Sequence, residues 1–407
     1  MKIHNLLIRG ATLASRFILV IFIAKFLSAE ELGIYSLFAA SISYALFFVG
    51  MDFYTFSSRE ILSVDKSNWF GIVKNQFSFY FAFYILSFPL TYLLFYFGFL
   101  SQEYIVWFYL ILVAEHLSQE SMRLLVVLDK AFKANLSLFI RSGIWVYIAV
   151  VVMFFDIDLR QVSVILILWL IGSSASVILI IPDLIQLRRS AIGSRNIDLG
   201  WMWKGVKVAV PLLVGTLALR SLYIVDRYSL SYFSDYSAVG IYSFYSSFAN
   251  ALLAFVDAVV VMQLYPKIVS AVKQSDAVNL RVYKKKFITS VAFLSLVLFI
   301  TLPVGVCVLL KWMNKPEYFS YFSVLAILMA ACVIYCFALL PHYELYARNE
   351  DRKIIFSSLW AAVVGAIAMP AGAYYYGVYG VAAGQLLAVI FLCFYKVILL
   401  RKSKLNV

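Results

Sequence analysis

Charge is scarce in this chain. Asp, Glu, Lys and Arg make up 14% of its 407 residues, where a soluble domain carries about a quarter. No segment is long and polar enough to stand as a separate soluble domain. Cysteine is nearly absent: Cys307, Cys332, Cys336 and Cys393 all lie inside apolar runs. Cys332 and Cys336 are one helical turn apart with no second pair to complete a metal site, so they read as small buried hydrophobes. There is no nucleotide-binding loop, no metal-ligand spacing and no nucleophile elbow. These absences argue against ATP-driven transport by this chain alone. The first apolar run has no small-residue cleavage site after it, so it reads as an uncleaved span rather than a signal peptide.

What is present in excess is apolar side chain. Hydrophobic residues reach 64% and aromatics 17%, more than a water-soluble core of this length can hide. The fold class expected is an all-α integral membrane protein. Apolar helices are expected at 6–27, 32–51, 77–99, 104–128, 136–155, 162–186, 206–225, 239–263, 287–310, 318–340, 354–376 and 378–400. Each is long enough to cross a hydrocarbon core of about 30 Å at about 1.5 Å per residue.

The net charge of +13 does not point to nucleic acid, because the basic residues sit in short loops and at helix ends. One side collects about 23 Lys and Arg, Lys2, Arg195, the Lys284-Lys285-Lys286 run and Lys404 among them; the other has about five. Both termini are therefore expected in the cytoplasm of a multi-pass protein. The loops on the opposite side are acidic and short, at most roughly a dozen residues.

The chain repeats itself after about 205 residues. Thr12-Leu13-Ala14-Ser15-Arg16 matches Thr216-Leu217-Ala218-Leu219-Arg220. Gly33-Ile34-Tyr35-Ser36 matches Gly240-Ile241-Tyr242-Ser243. Asp52 and Asp257 follow in the same order. Two six-helix bundles are expected, 1–200 and 201–407, of like orientation and around a central cavity open alternately to each side.

Ionisable residues at membrane depth face a cavity or a partner. Arg9, Thr12 and Arg16 fall within about 60° on a helix, and Thr216, Arg220, Tyr223 and Arg227 form a similar stripe. With Arg141 they suggest a cationic wall suited to phosphate, because the guanidinium fork gives paired charge-assisted hydrogen bonds. Snorkelling to head groups is the better reading for Arg9, Arg227 and Lys396, taken to lie near helix ends, and a weak one for Arg16, which sits mid-span. The fourth span carries Glu115, His116, Glu120 and Arg123. His116, Glu120 and Arg123 share one face, which suits coupling to H+ or Na+; a self-neutralising Glu120–Arg123 pair is the alternative. Asp52 and Asp257 join them as coupling candidates through the repeat, or as inner-interface residues.

The basic first helix followed by AKFLSAEELGIYSLFAA, and the ending YYYGVYGVAAGQLLAVIF with Gly377, Gly380 and Gly384, resemble bacterial polysaccharide transporters. The closest type is the O-antigen flippase of the Wzx type, in the superfamily of multidrug, oligosaccharidyl-lipid and polysaccharide exporters. That resemblance covers essentially the whole chain. It implies twelve helices in two halves around a cation-lined cavity, and a non-enzyme of the bacterial inner membrane acting as a monomer. It implies an oligosaccharide on undecaprenyl pyrophosphate as substrate, destined for O-antigen or capsule, with a polysaccharide polymerase and a chain-length regulator as partners. No cofactor is implied beyond the coupling ion. The lipid II flippase type usually has helices beyond twelve. Two rivals stand beside this reading. A drug or metabolite exporter of the same fold needs acidic cavities for cationic cargo. A membrane glycosyltransferase or O-antigen polymerase needs a large outer loop, and none is present.

Overall fold

The computed structural model describes residues 3–191 and 196–405; Lys2 and Arg195 lie outside them. The described residues are helical throughout, without strands: α1 Ile3–Phe26, α2 Ala29–Gly50, α3 Tyr54–Ser63, α4 Trp69–Tyr96, α5 Ile105–Val127, α6 Ala131–Phe139, α7 Trp145–Phe155, α8 Val162–Ile178 and α9 Ile181–Arg189. Then come α10 Leu199–Ser221, α11 Val225–Phe233, α12 Tyr236–Val256, α13 Met262–Lys273, α14 Ala277–Met313, α15 Pro316–Phe319, α16 Phe322–Ala347 and α17 Asp351–Leu405. In lipid, only a structure that satisfies every backbone N–H and C=O internally is stable, and helices do so segment by segment.

Nine continuous segments among the described residues are long and apolar enough to cross a bilayer. Gly377, at φ 54° and ψ −130°, breaks the last of them into two antiparallel limbs. With α5 and α10, whose 23 residues each include charged side chains, twelve segments have crossing length. Several helices outrun their apolar cores: α4 begins at Trp69, α10 at Leu199 and α14 at Ala277. The Lys284-Lys285-Lys286 run is accordingly helical rather than loop. Helix hydrogen bonds do not stop where hydrocarbon ends, so polar turns extend the cylinder into the interface.

The chain packs as two compact units, Met1–Leu27 with Leu37–Leu217, and Ser28–Ser36 with Ala218–Val407. In the first, Phe53 stacks on Phe79 with ring centroids 4.3 Å apart, and Gly205 admits the Phe53 and Phe56 rings, which a Cβ would meet at 2.4 and 2.7 Å. In the second, Phe244 packs on Tyr318 at 4.8 Å, and the Tyr245 hydroxyl donates to the Tyr318 carbonyl.

The repeat motifs find a physical reason within the second unit. A Cβ on Gly33 would lie 1.7 Å from the Tyr236 carbonyl oxygen, and one on Gly240 1.9 Å from that of Ala29. The two matched glycines thus let the first turns of α2 and α12 touch backbone to backbone, the close approach that small residues permit in membranes. The second glycine cluster closes the α17 hairpin: a Cβ on Gly380 would meet the Gly372 carbonyl at 2.0 Å, and one on Gly384 the Ala368 carbonyl at 2.8 Å.

The repeat is imperfect at its aspartates. Asp52 lies in a break between α2 and α3, at φ 50°, and is buried. Asp257 opens a π-helical turn, Asp257–Val261, that runs straight into α13, and is exposed. A bend on one side and a bulge on the other send equivalent residues in different directions.

Candidate functional site

On α1 the buried face is Thr12, Ser15, Leu19 and Ile23. It packs on α6, α7 and the π-helical turn Ile140–Ile144 between them. The Ser15 hydroxyl donates to the Ser142 carbonyl, in that π turn, at 2.8 Å. The Tyr147 hydroxyl donates to the Ala11 carbonyl at 2.8 Å. Arg16, next to Ser15, points off this face and is exposed. The stripe expected from helical spacing therefore divides. Arg9 and Arg16 are exposed, and Arg9 also donates to Asn135 Oδ1 at 2.9 Å. Thr12 turns into the unit, its hydroxyl spent on the Ile8 carbonyl at 2.8 Å.

Arg220, one repeat on, is likewise exposed at the end of α10. Its stripe stops there. Residues 222–224 separate α10 from α11, so Arg227 leaves the register that would align it with Arg220. Arg227 is a buried-pair residue rather than a snorkelling one: its Nη1 lies 3.2 Å from the carboxylate of Asp226, which is 1% exposed. The Tyr242 ring lies 6.0 Å away, and its hydroxyl donates to Gln385 Oε1 at 2.6 Å. Lys396 departs from the snorkelling expectation too. Its helix continues to Leu405, which leaves it well inside the segment, and it is buried.

The polar residues of α5 serve two different faces. Toward α4, the Glu120 carboxylate accepts from Gln76 Nε2 at 2.9 Å and from the Tyr80 hydroxyl at 2.7 Å, and pairs with Arg123. Arg123 also lies over the Tyr54 ring, 3.6 Å from its centroid. His116 packs edge-on to Tyr80 and meets the Tyr84 hydroxyl at Nδ1, 2.7 Å away; its Nε2 is buried without a hydrogen bond. Toward α8, Glu115 accepts from Trp169 Nε1 at 2.6 Å and Ser173 Oγ at 2.7 Å, and its other oxygen lies 3.7 Å from Arg141 Nε. Arg141 sits in the π turn and is 8% exposed.

The structure thus brings His116, Glu120 and Arg123 into one network and Glu115 and Arg141 into another. A fully satisfied carboxylate of this kind holds helices together. Glu344 of α16, 1% exposed, is likewise paired across helices: Lys284 Nζ of α14 reaches its Oε1 at 2.5 Å. Sequence reasoning missed Gln76, Tyr80, Trp169, Ser173, Asp226, Glu344 and Gln385. For Gln76 and Tyr80 a signal existed, since they are spaced i, i+4 on an otherwise apolar helix. For Glu344 none did, because it closes an apolar run and looks like an interfacial residue. Among the described residues no group of three or more His, Cys, Asp or Glu could hold a metal ion.

No protein-family model matches the chain, and no curated protein sequence matches it. Solved structures do. A multidrug resistance MATE family transporter of the MOP superfamily, in an inward-facing conformation, is similar with a TM-score of 0.76 and 12% identity, over 97% of this chain and 94% of that one. The lipid II flippase MurJ, in an inward closed conformation, is similar with a TM-score of 0.73 and 17% identity, over 97% and 87%. A variant of the Vibrio cholerae MATE transporter VcmN gives 0.61 and 14% over 99% and 95%. At such identities the likeness speaks for the fold, and the chain is an all-α membrane protein with the fold that these structures share.

Proposed function

We propose that this chain is a flippase of the bacterial inner membrane. It moves an oligosaccharide repeat unit on undecaprenyl pyrophosphate from the cytoplasmic to the outer leaflet by alternating access. The observation that carries this reading is the distribution of charge. Glu115, Glu120, Asp226 and Glu344 are buried, and each faces a cationic side chain. Arg16 and Arg220, at matched positions of the repeat, are exposed. Buried carboxylates already matched by cations, with an exposed guanidinium group on each unit, suit an anionic cargo and not the cationic cargo of a drug exporter. A pyrophosphate cannot enter hydrocarbon unaided, and guanidinium groups at membrane depth supply the charge-assisted hydrogen bonds it loses from water.

In this reading Arg16, with Arg9 on the same face of α1, takes the pyrophosphate in the first unit, Arg220 is its counterpart by the repeat in the second, and the polyprenyl tail stays in lipid. The chain works as a monomer and passes its product to a polysaccharide polymerase and its chain-length regulator. Thr12 and Arg141 support the first unit from within, and Asp52 and Asp257 belong to the α2–α3 bend and the π-helical turn between α12 and α13.

The direct test is reconstitution. In proteoliposomes, a fluorescent undecaprenyl-pyrophosphate glycan should become accessible to an impermeant quencher only when the chain is present. Efflux of a cationic dye with no lipid movement would support the exporter reading instead. The Lys and Arg asymmetry places both termini and the start of α14 in the cytoplasm. Reporter fusions at Lys285 and Lys404 should both read cytoplasmic, and an outside reading at either defeats the orientation.

A further inference from the structure

Most buried charges of this chain are held by an opposite charge, but Lys396 is not. It is 2% exposed, in the second limb of α17. Its Nζ lies 3.3 Å from His342 Nδ1 on α16, and among the described residues no carboxylate lies within 4.0 Å of it. The titratable groups around the pair have other roles. Cys393 precedes Lys396 by one turn on α17. On α16, Tyr343 stacks against Tyr265 of α13 with centroids 4.5 Å apart, and Glu344 is taken by Lys284 of α14.

Two basic groups at this separation, in a buried place that lacks a counter-charge, oppose each other's protonation, so the second proton binds only at a much lower pH than the first. The hydrogen bond itself requires one to donate while the other keeps a free lone pair. The pair therefore holds one proton fewer than its two bases could. As a purely structural contact it is poor: a Met at 396 would fill similar space without the cost of burying an ammonium. Both residues lie about 20 residues from the outer starts of their helical limbs, or roughly 30 Å of helix rise. That places the pair toward the end of the unit where Lys and Arg concentrate.

We propose that Lys396 and His342 form a one-proton exchange site in the second unit, where a coupling proton is taken up and released from the basic side. The coupling role rests on the transporter reading; the existence of the site does not. In the exchange step protonation passes between two states, Lys396 ammonium donating to neutral His342 Nδ1, and both groups neutral; the second proton, on His342, adds in a separate step at lower pH. No other reactant is consumed.

The chain has three histidines, so selective 15N-histidine labelling of the full-length protein in nanodiscs gives few signals, and His342→Gln assigns the one that matters. Because the two groups share a proton, the His342 signal should move in two pH steps in the unsubstituted protein. It should move in one step in Lys396→Met. Lys396→Gln, which keeps a hydrogen-bonding head but cannot titrate, should also show one step and guards against misfolding of the first variant. A single step, the same in all three proteins, overturns the site. In the proteoliposome assay, a pH gradient should change the rate of lipid flipping, and Lys396→Met should lose that response. Flipping indifferent to the gradient overturns the coupling role. Two steps in a chain that moves no lipid would leave the proton site standing and sink the flippase reading instead.

Discussion

Replacing Arg16 by Ala is expected to abolish flipping while leaving the amount of protein in the membrane unchanged. The two halves of that expectation come from different faces of α1. Thr12, Ser15, Leu19 and Ile23 make the packed face, and Ser15 is tied to Ser142. Arg16 is exposed, so truncating it opens no cavity in the packed core, and such substitutions usually change stability by within about 0.5 kcal/mol. Against a pyrophosphate, a guanidinium fork makes two charge-assisted hydrogen bonds, each contributing about 1.5–3 kcal/mol. Their loss slows transfer by about a hundredfold or more. Arg16→Lys keeps the charge and loses the planar fork, and should restore part of the rate. Arg220→Ala should resemble Arg16→Ala if the repeat places both on the substrate. The readouts are the quencher assay and the surface polysaccharide of cells carrying each variant. Full surface polysaccharide with a neutral residue at position 16 would remove Arg16 from the transport path.

The largest effect on stability is expected from Lys284→Met. Lys284 pairs with Glu344, which is 1% exposed. Removing one partner of a buried ion pair is strongly destabilising, by about 3–5 kcal/mol. The double variant Lys284→Met with Glu344→Gln should recover most of the loss, since the charge to be buried is gone. Arg123→Met makes the informative comparison. Glu120 loses its cation there but keeps Gln76 at 2.9 Å and Tyr80 at 2.7 Å, so the penalty should be smaller. Thermal unfolding in detergent gives the order. If Arg123→Met proves worse than Lys284→Met, or if the double variant is no better than the single, the pair is not what holds α14 to α16.

The apolar segments were legible because a bilayer imposes a length and a composition on anything that crosses it. The charged cluster of α5 was legible for the same reason, as an exception to that composition. Its division was not. Glu115 and Glu120 differ by five positions, about 140° around a helix, so each meets a different neighbour, α8 in one case and α4 in the other. Helical spacing states that two residues diverge, and only packing states what each of them reaches. The stripe on α1 failed in a similar way. Thr12 and Arg16 are close in angle, yet the edge of the packed face runs between them.

Sequence by itself determined that this protein is helical and membrane-embedded, because backbone groups in lipid must pair within their own segment and a local signal suffices for that. It also marked the glycines, Gly33, Gly240, Gly377 and Gly380, without telling what they do. Tertiary structure decided the rest. It put Gly33 against Tyr236 and Gly240 against Ala29, turned Arg227 toward Asp226 by breaking the helix before it, and set Lys396 against a histidine instead of a carboxylate. Those pairings join residues far apart in the chain, and in an environment as apolar as the helices themselves hydrophobicity does not choose the neighbour. Close backbone approach and the demand of each buried charge for a partner do.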